Sequence, residues 1–71
     1  MTPAAALAAT LESALDLYLR QDPEALRRCG GMDGKVIALD VTGLGVSLYF
    51  LPGPDGIQVL GHFEGPADTR L

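Results

Sequence analysis

Lys35-Val36-Ile37-Ala38-Leu39-Asp40-Val41-Thr42-Gly43-Leu44-Gly45-Val46-Ser47-Leu48-Tyr49-Phe50-Leu51 is the run that decides the fold. Directly opposed residues of an antiparallel pair share a face, so the hydrophobic pattern selects the pairing. A two-residue loop at Gly43-Leu44 opposes Val41 to Val46, Leu39 to Leu48 and Ile37 to Phe50. All three pairs are apolar, whereas a slip of one residue opposes Asp40 to Leu48. A second turn, Pro52-Gly53-Pro54-Asp55-Gly56, leads into a third strand, Ile57-Gln58-Val59-Leu60-Gly61-His62-Phe63. Pro54-Asp55-Gly56 suits a type I turn with a glycine bulge, which makes an odd loop. Matching Val46, Leu48 and Phe50 to Ile57, Val59 and Gly61 needs an even loop. A buried face outweighs a turn preference, so the even register is expected.

The other face of this meander is also partly apolar. Val36, Ala38, Tyr49, Leu51 and Leu60 alternate there with Asp40, Ser47, Gln58 and His62. A sheet that needs one dry face usually has a cleaner polar set on the other. Something apolar is therefore expected over it: more of the fold, a partner or a ligand.

Upstream, the period is helical. At 100° per residue Leu7, Leu11, Ala14, Leu15, Tyr18 and Leu19 fall in one sector, opposite Glu12, Ser13, Asp16 and Arg20. Thr2 is a suitable N-cap, with Pro3 at the first helical position. The helix should end near Gln21, because Pro23 moves Asp22 out of the α region. Asp22 then caps a second, short helix that starts at Pro23, carries Arg27 and Arg28 in its last turn and ends at Gly30-Gly31. Two helices followed by an antiparallel meander make an α+β domain.

The 71 residues form one domain, close to the lower size limit for independent folding. Cys29 is the single cysteine, so an internal disulfide is impossible, and with one histidine, His62, no metal-site spacing exists. Oligomerisation, or membership of a longer domain, is expected to supply the missing security. Thr69-Arg70-Leu71 reads as the opening of a further strand, so truncation at the C-terminal side is expected. A net charge of −4 excludes the basic footprint that nucleic acid requires. No apolar run reaches the length of a membrane span, and the Ala-rich N-terminus lacks the positive region of a secretory signal. A lone thiol without export signals points to the cytoplasm.

Little in the chain suggests catalysis. Gly43-Leu44-Gly45 is followed by a strand, not a helix, and reads as a hairpin turn. His62 and Glu64 could interact on one strand face, but neither Ser47 nor Cys29 has a nucleophile motif around it. Cys29 reads as a small packing residue.

Tyr18-Leu19, Asp22-Pro23-Glu24, Gly34-Lys35-Val36-Ile37-Ala38-Leu39, Thr42-Gly43-Leu44-Gly45, Leu48-Tyr49, Leu51-Pro52 and the Gly61-His62-Phe63 step together resemble the sterol carrier protein 2 family. The likeness is closest to its bacterial UbiJ branch of ubiquinone-biosynthesis accessory factors. It implies an SCP2-like α+β lipid carrier, with a helix-backed sheet around an apolar cavity and a C-terminal helical region beyond it. It implies no catalytic residues and no cofactor, with an isoprenoid or other lipid as ligand and ubiquinone-biosynthesis proteins as partners. The expected walls are Leu11, Leu15 and Tyr18 from the helix with Ile37, Leu39, Leu48, Phe50 and Val59 from the sheet. The function expected on this ground is a non-enzymatic domain that holds a prenylated intermediate for soluble enzymes. The alternative is a structural assembly domain whose apolar sheet face contacts protein without a ligand. Either way the open edges and apolar second face predict a homo-oligomer.

Overall fold

A computed structural model describes residues 2–71. Helices α1 (Pro3–Arg20) and α2 (Pro23–Gly31) precede strands β1 (Ile37–Val41), β2 (Val46–Gly53), β3 (Gly56–Leu60) and β4 (Thr69–Arg70). The sheet order is β3-β2-β1-β4. Strands β1 to β3 are the expected antiparallel meander, and β4 adds parallel to β1, so the sheet is mixed.

Both helices begin as their residues dictate. Thr2 Oγ1 accepts the Ala5 amide, and Asp22 Oδ1 accepts the Ala25 amide, each ahead of a proline in the first turn. Helix α2 ends at Gly31, as the glycine pair predicts, with Met32 as its C-cap. Neither glycine takes a positive φ; the first that does is Gly34, in the turn beyond the cap, with φ 86°.

The first hairpin has the expected register, Ile37↔Phe50, Leu39↔Leu48 and Val41↔Val46. Its ladder closes one pair early, leaving Thr42–Gly45 as the turn, because Gly43 and Gly45 both take positive φ. The second hairpin keeps the even register, with Phe50↔Val59 and Pro52↔Ile57 around Pro54-Asp55. Hydrophobic matching prevails over the bulged-turn preference there.

Strand β3 ends at Leu60, short of the Phe63 expected from sequence. Gly61 lies so close to the first turn of α1 that a Cβ would stand 2.8 Å from Ala4 C and from the Ala5 amide nitrogen. Residues 61–68 then cross from one sheet edge to the other, and Phe63 stacks against Tyr49 with ring centroids 5.8 Å apart. This crossing passes over the second face, where Val36 and Ala38 are buried. Part of the cover expected there is thus the chain itself.

The core forms on the first face, where Ala8 meets Leu48 and Val59, with Leu7, Leu11, Leu15, Val41, Phe50 and Ile57 packed around them. The helix is rolled relative to the sector read from sequence. Ala8 and Leu19 are its buried residues, while Ala14 and Tyr18 face solvent. The small side chains of Ala4, Ala5 and Ala8 allow close approach to the sheet, so the alanine row, not the Ala14–Tyr18 edge, goes inward.

Candidate functional site

Both helices pack over β2 and β3, and neither packs on β1 or β4. The first face of β1 therefore stays open beside the core. A trough of about 280 Å³ lies there, lined by Cys29, Met32, Ile37, Leu39, Phe50, Pro52, Ile57 and Leu71. Apart from the Cys29 thiol, every one of these side chains is apolar. The floor follows from strand alternation: Ile37 and Leu39 project to the same face as Phe50 and Pro52. The end of α2 overhangs one side through Cys29 and Met32, and Leu71 stands at the other.

Of the expected wall residues, Ile37, Leu39 and Phe50 line the trough. Leu11, Leu15, Leu48 and Val59 pack in the core beneath α1, and Leu48 is 1% exposed. Tyr18 lies outside the trough, 55% exposed, with its hydroxyl donating to Asp22 Oδ2 at 2.9 Å. Sequence reading missed five lining residues. Pro52 and Ile57 share strand parity with Phe50 and Val59 and could have been found by extending the alternation. Leu71 depends on the parallel placement of β4, and Cys29 and Met32 on how α2 is tilted, neither of which has a sequence signal.

A larger groove of about 670 Å³ runs between α1 and the β2–β3 turn, past Glu12, Asp16, Asp33, Lys35 and Asp55. It is shallow, with four like-charged carboxylates against one lysine, and brings no reactive pair together. Volume is the poorer guide here, and the smaller apolar trough is the better candidate.

Charge on the second face is organised around Asp40. Ser47 Oγ donates to Asp40 Oδ1 at 2.6 Å, and the Arg70 guanidinium donates to the same oxygen. These bonds, Ser47 first, hold the Asp40 carboxyl below its ordinary range. Asp40, with Tyr49 as second neighbour, raises the pKa of Arg70. At the helix junction the Ala25 amide and then the Tyr18 hydroxyl lower Asp22, and Tyr18 is raised in return. His62 and Glu64 do meet, at 3.6 Å, but on the irregular crossing segment and not on a strand. Their side chains are 82% and 89% exposed, which leaves nothing to shield a reaction from water. Among the described residues no cluster of His, Cys, Asp or Glu is placed to hold a metal ion. Nor is any helix among them long and apolar enough to cross a membrane.

No curated protein matches the chain. A solved structure described as a UbiJ-SCP2 ubiquinone synthesis protein superposes with a TM-score of 0.77 and 31% sequence identity. The match covers 89% of this chain and 56% of that one, so the chain spans little more than half of its structural neighbour. The sequence profile of the SCP-2 sterol transfer family matches residues 11–71, which take in most of α1, all of α2 and the whole sheet. The chain therefore belongs to the SCP-2 sterol transfer family.

Proposed function

We propose that this domain is a non-enzymatic lipid holder, and that the trough over β1 takes the prenyl tail of a hydrophobic ubiquinone-pathway intermediate while soluble enzymes work on its head group. The observation that carries this reading is a lining without one polar side chain, beside a well-packed core. Such a surface rewards hydrocarbon and offers a head group nothing. The family membership and the ubiquinone synthesis protein among the structural neighbours support it.

Volume sets the scale. A methylene needs about as much room as a liquid water, roughly 30 Å³, so the 280 Å³ trough holds roughly ten carbons. At about 0.8 kcal/mol per buried CH₂ the gross gain is about 8 kcal/mol. That gross gain, before the cost of association is subtracted, bounds the affinity of the domain alone at a Kd no tighter than about 1 μM. Native mass spectrometry after gentle purification, followed by titration with farnesol, tests the reading. A protein that carries no lipid and binds no farnesol up to its solubility limit rules it out.

That same size favours one specific competitor. About 280 Å³ is just under the usual range for small-molecule sites, and Met32 and Leu71 at the rim are 41% and 70% exposed. An assembly surface without ligand has this form too, and it predicts oligomers in the same mass spectrum with no lipid bound.

A further inference from the structure

We infer that the outer face of α1 is a self-association surface, on which a second copy of this chain docks antiparallel through its own α1. A surface helix normally turns charge to water and hydrocarbon to the core. Helix α1 does not. Its outer side presents Ala6, Thr10, Ser13 and Leu17, flanked by Ala9 and Ala14, all exposed and all uncharged. The roll of the helix is the cause. Glu12 is drawn inward to the Val59 amide, and Asp16 is held by Arg20 at the edge of the strip, 2.6 Å away. The Thr10 hydroxyl donates to Ala6 O at 3.0 Å within the same helix, so what Thr10 offers a neighbour is its methyl group. Leu17, 58% exposed, stands at the C-terminal end of the strip as its bulkiest side chain.

The spacing selects the occupant. Ala6, Thr10, Ser13 and Leu17 step by four, three and four, the roughly 3.5-residue period of a helix-pairing seam. That order reads the same in both directions about the point between Leu11 and Glu12. An antiparallel copy related by a two-fold axis there sets Leu17 over Ala6 and Ser13 beside Thr10, and each contact is made twice. A large side chain then meets a small one at both ends. Parallel pairing would instead oppose Leu17 to Leu17 and leave Ala6 facing Ala6. Charge agrees: two chains of net charge −4 repel, and the strip lets them touch without opposing carboxylates. A membrane surface fits less well. Interfacial helices are rich in Lys and Arg, whereas α1 carries Arg20 alone, and it is paired. The strip faces away from the sheet, so the dimer leaves the trough over β1 open and does not depend on it. One helix width is a small interface, so the association is expected to be weak and concentration-dependent.

Sedimentation across a dilution series from millimolar to micromolar protein should show the average mass falling from near the dimer towards the monomer. Leu17→Glu puts a carboxylate into the seam and should weaken the association at least about tenfold. Because Leu17 is exposed in the single chain, dilute Leu17→Glu should melt close to dilute wild type. Mixing Leu17→Glu with Ala6→Lys should give a heterodimer tighter than either variant forms alone, since the two-fold axis brings those positions together. Under mild oxidation a mixture of Thr10→Cys and Ser13→Cys should cross-link several-fold faster than either by itself. Wild type gives the background, its one thiol being buried and off the strip. A monomer at every concentration overturns the inference. So does a dimer that Leu17→Glu leaves unchanged, which would place the interface at the trough or at a sheet edge. Flotation of wild type, but not of Leu17→Glu, with phosphatidylglycerol vesicles would overturn it in favour of a lipid surface.

Discussion

The carboxylate of Glu12, midway along α1, accepts the main-chain amide of Val59 in β3 at 2.7 Å. Strand β3 is an edge of the sheet, and edge amides are templates for unwanted pairing unless something occupies them. A helix residue that reads as solvent-facing on a wheel is thus a tie between helix and sheet. Glu12 lies about two turns before the buried Leu19 and nearly in line with it, so the roll that turns Tyr18 outward turns Glu12 inward.

Glu12→Ala is expected to cost roughly 1.5–3 kcal/mol, the range for a hydrogen bond to a charged group. For a domain of this size each kcal/mol lowers the melting temperature by about 4–8 °C. Glu12→Gln should cost less, because its amide oxygen still accepts. Thermal melts of the two variants check the order, and equal melting temperatures for Glu12→Ala and wild type would show the bond to be idle.

Gly61→Ala should destabilise although it adds a single methyl. Its Cβ would stand 2.8 Å from the backbone of Ala4 and Ala5, and backbone cannot rotate aside as a side-chain end can. Overpacking of this kind costs roughly 1–3 kcal/mol. Adding Ala at Gly31, where nothing lies within 4 Å, is the matched control and should be harmless or slightly stabilising. Urea midpoints for the pair check the contrast.

Leu39 and Leu48 face each other across the hairpin yet should behave differently. Leu48→Ala empties the core under α1 and is expected to cost about 2–5 kcal/mol. Leu39→Ser, in the open trough, should abolish farnesol binding while leaving a folded protein. Tyr18→Glu should leave binding unchanged, since Tyr18 lies outside the trough. Calorimetric titration beside a melting curve separates these outcomes, and loss of binding in Tyr18→Glu would place the site elsewhere.

Acid should loosen the second face. Asp40 is lowered from 3.8 by Ser47 and Arg70, so its contribution to stability is fully present above pH 3.8. It is lost as pH falls from there through the depressed folded value. Asp22 acts in the same direction, through the Ala25 amide and the Tyr18 hydroxyl. Asp40→Asn should therefore melt below wild type at pH 6 and converge with it as acidity increases. Parallel melting curves down to pH 2 would contradict the assignment.

The elements and the hairpin registers were legible in the residues because local chemistry and alternation decide them. Thr2-Pro3 and Asp22-Pro23 start helices wherever the chain packs, and the pairing of Ile37, Leu39 and Val41 with Phe50, Leu48 and Val46 admits one solution. Packing geometry had no such signal. The roll of α1 depends on how closely Ala4, Ala5 and Ala8 approach Gly61 and the sheet, a matter of distances that no period encodes. The candidate site suffered most, because a trough is the space left over once elements have packed. Ile37, Leu39 and Phe50 were identified since alternation assigns their face. Cys29, Met32 and Leu71 joined them only when the end of α2 came to overhang the trough and β4 docked parallel beside β1, which long-range contacts alone decide.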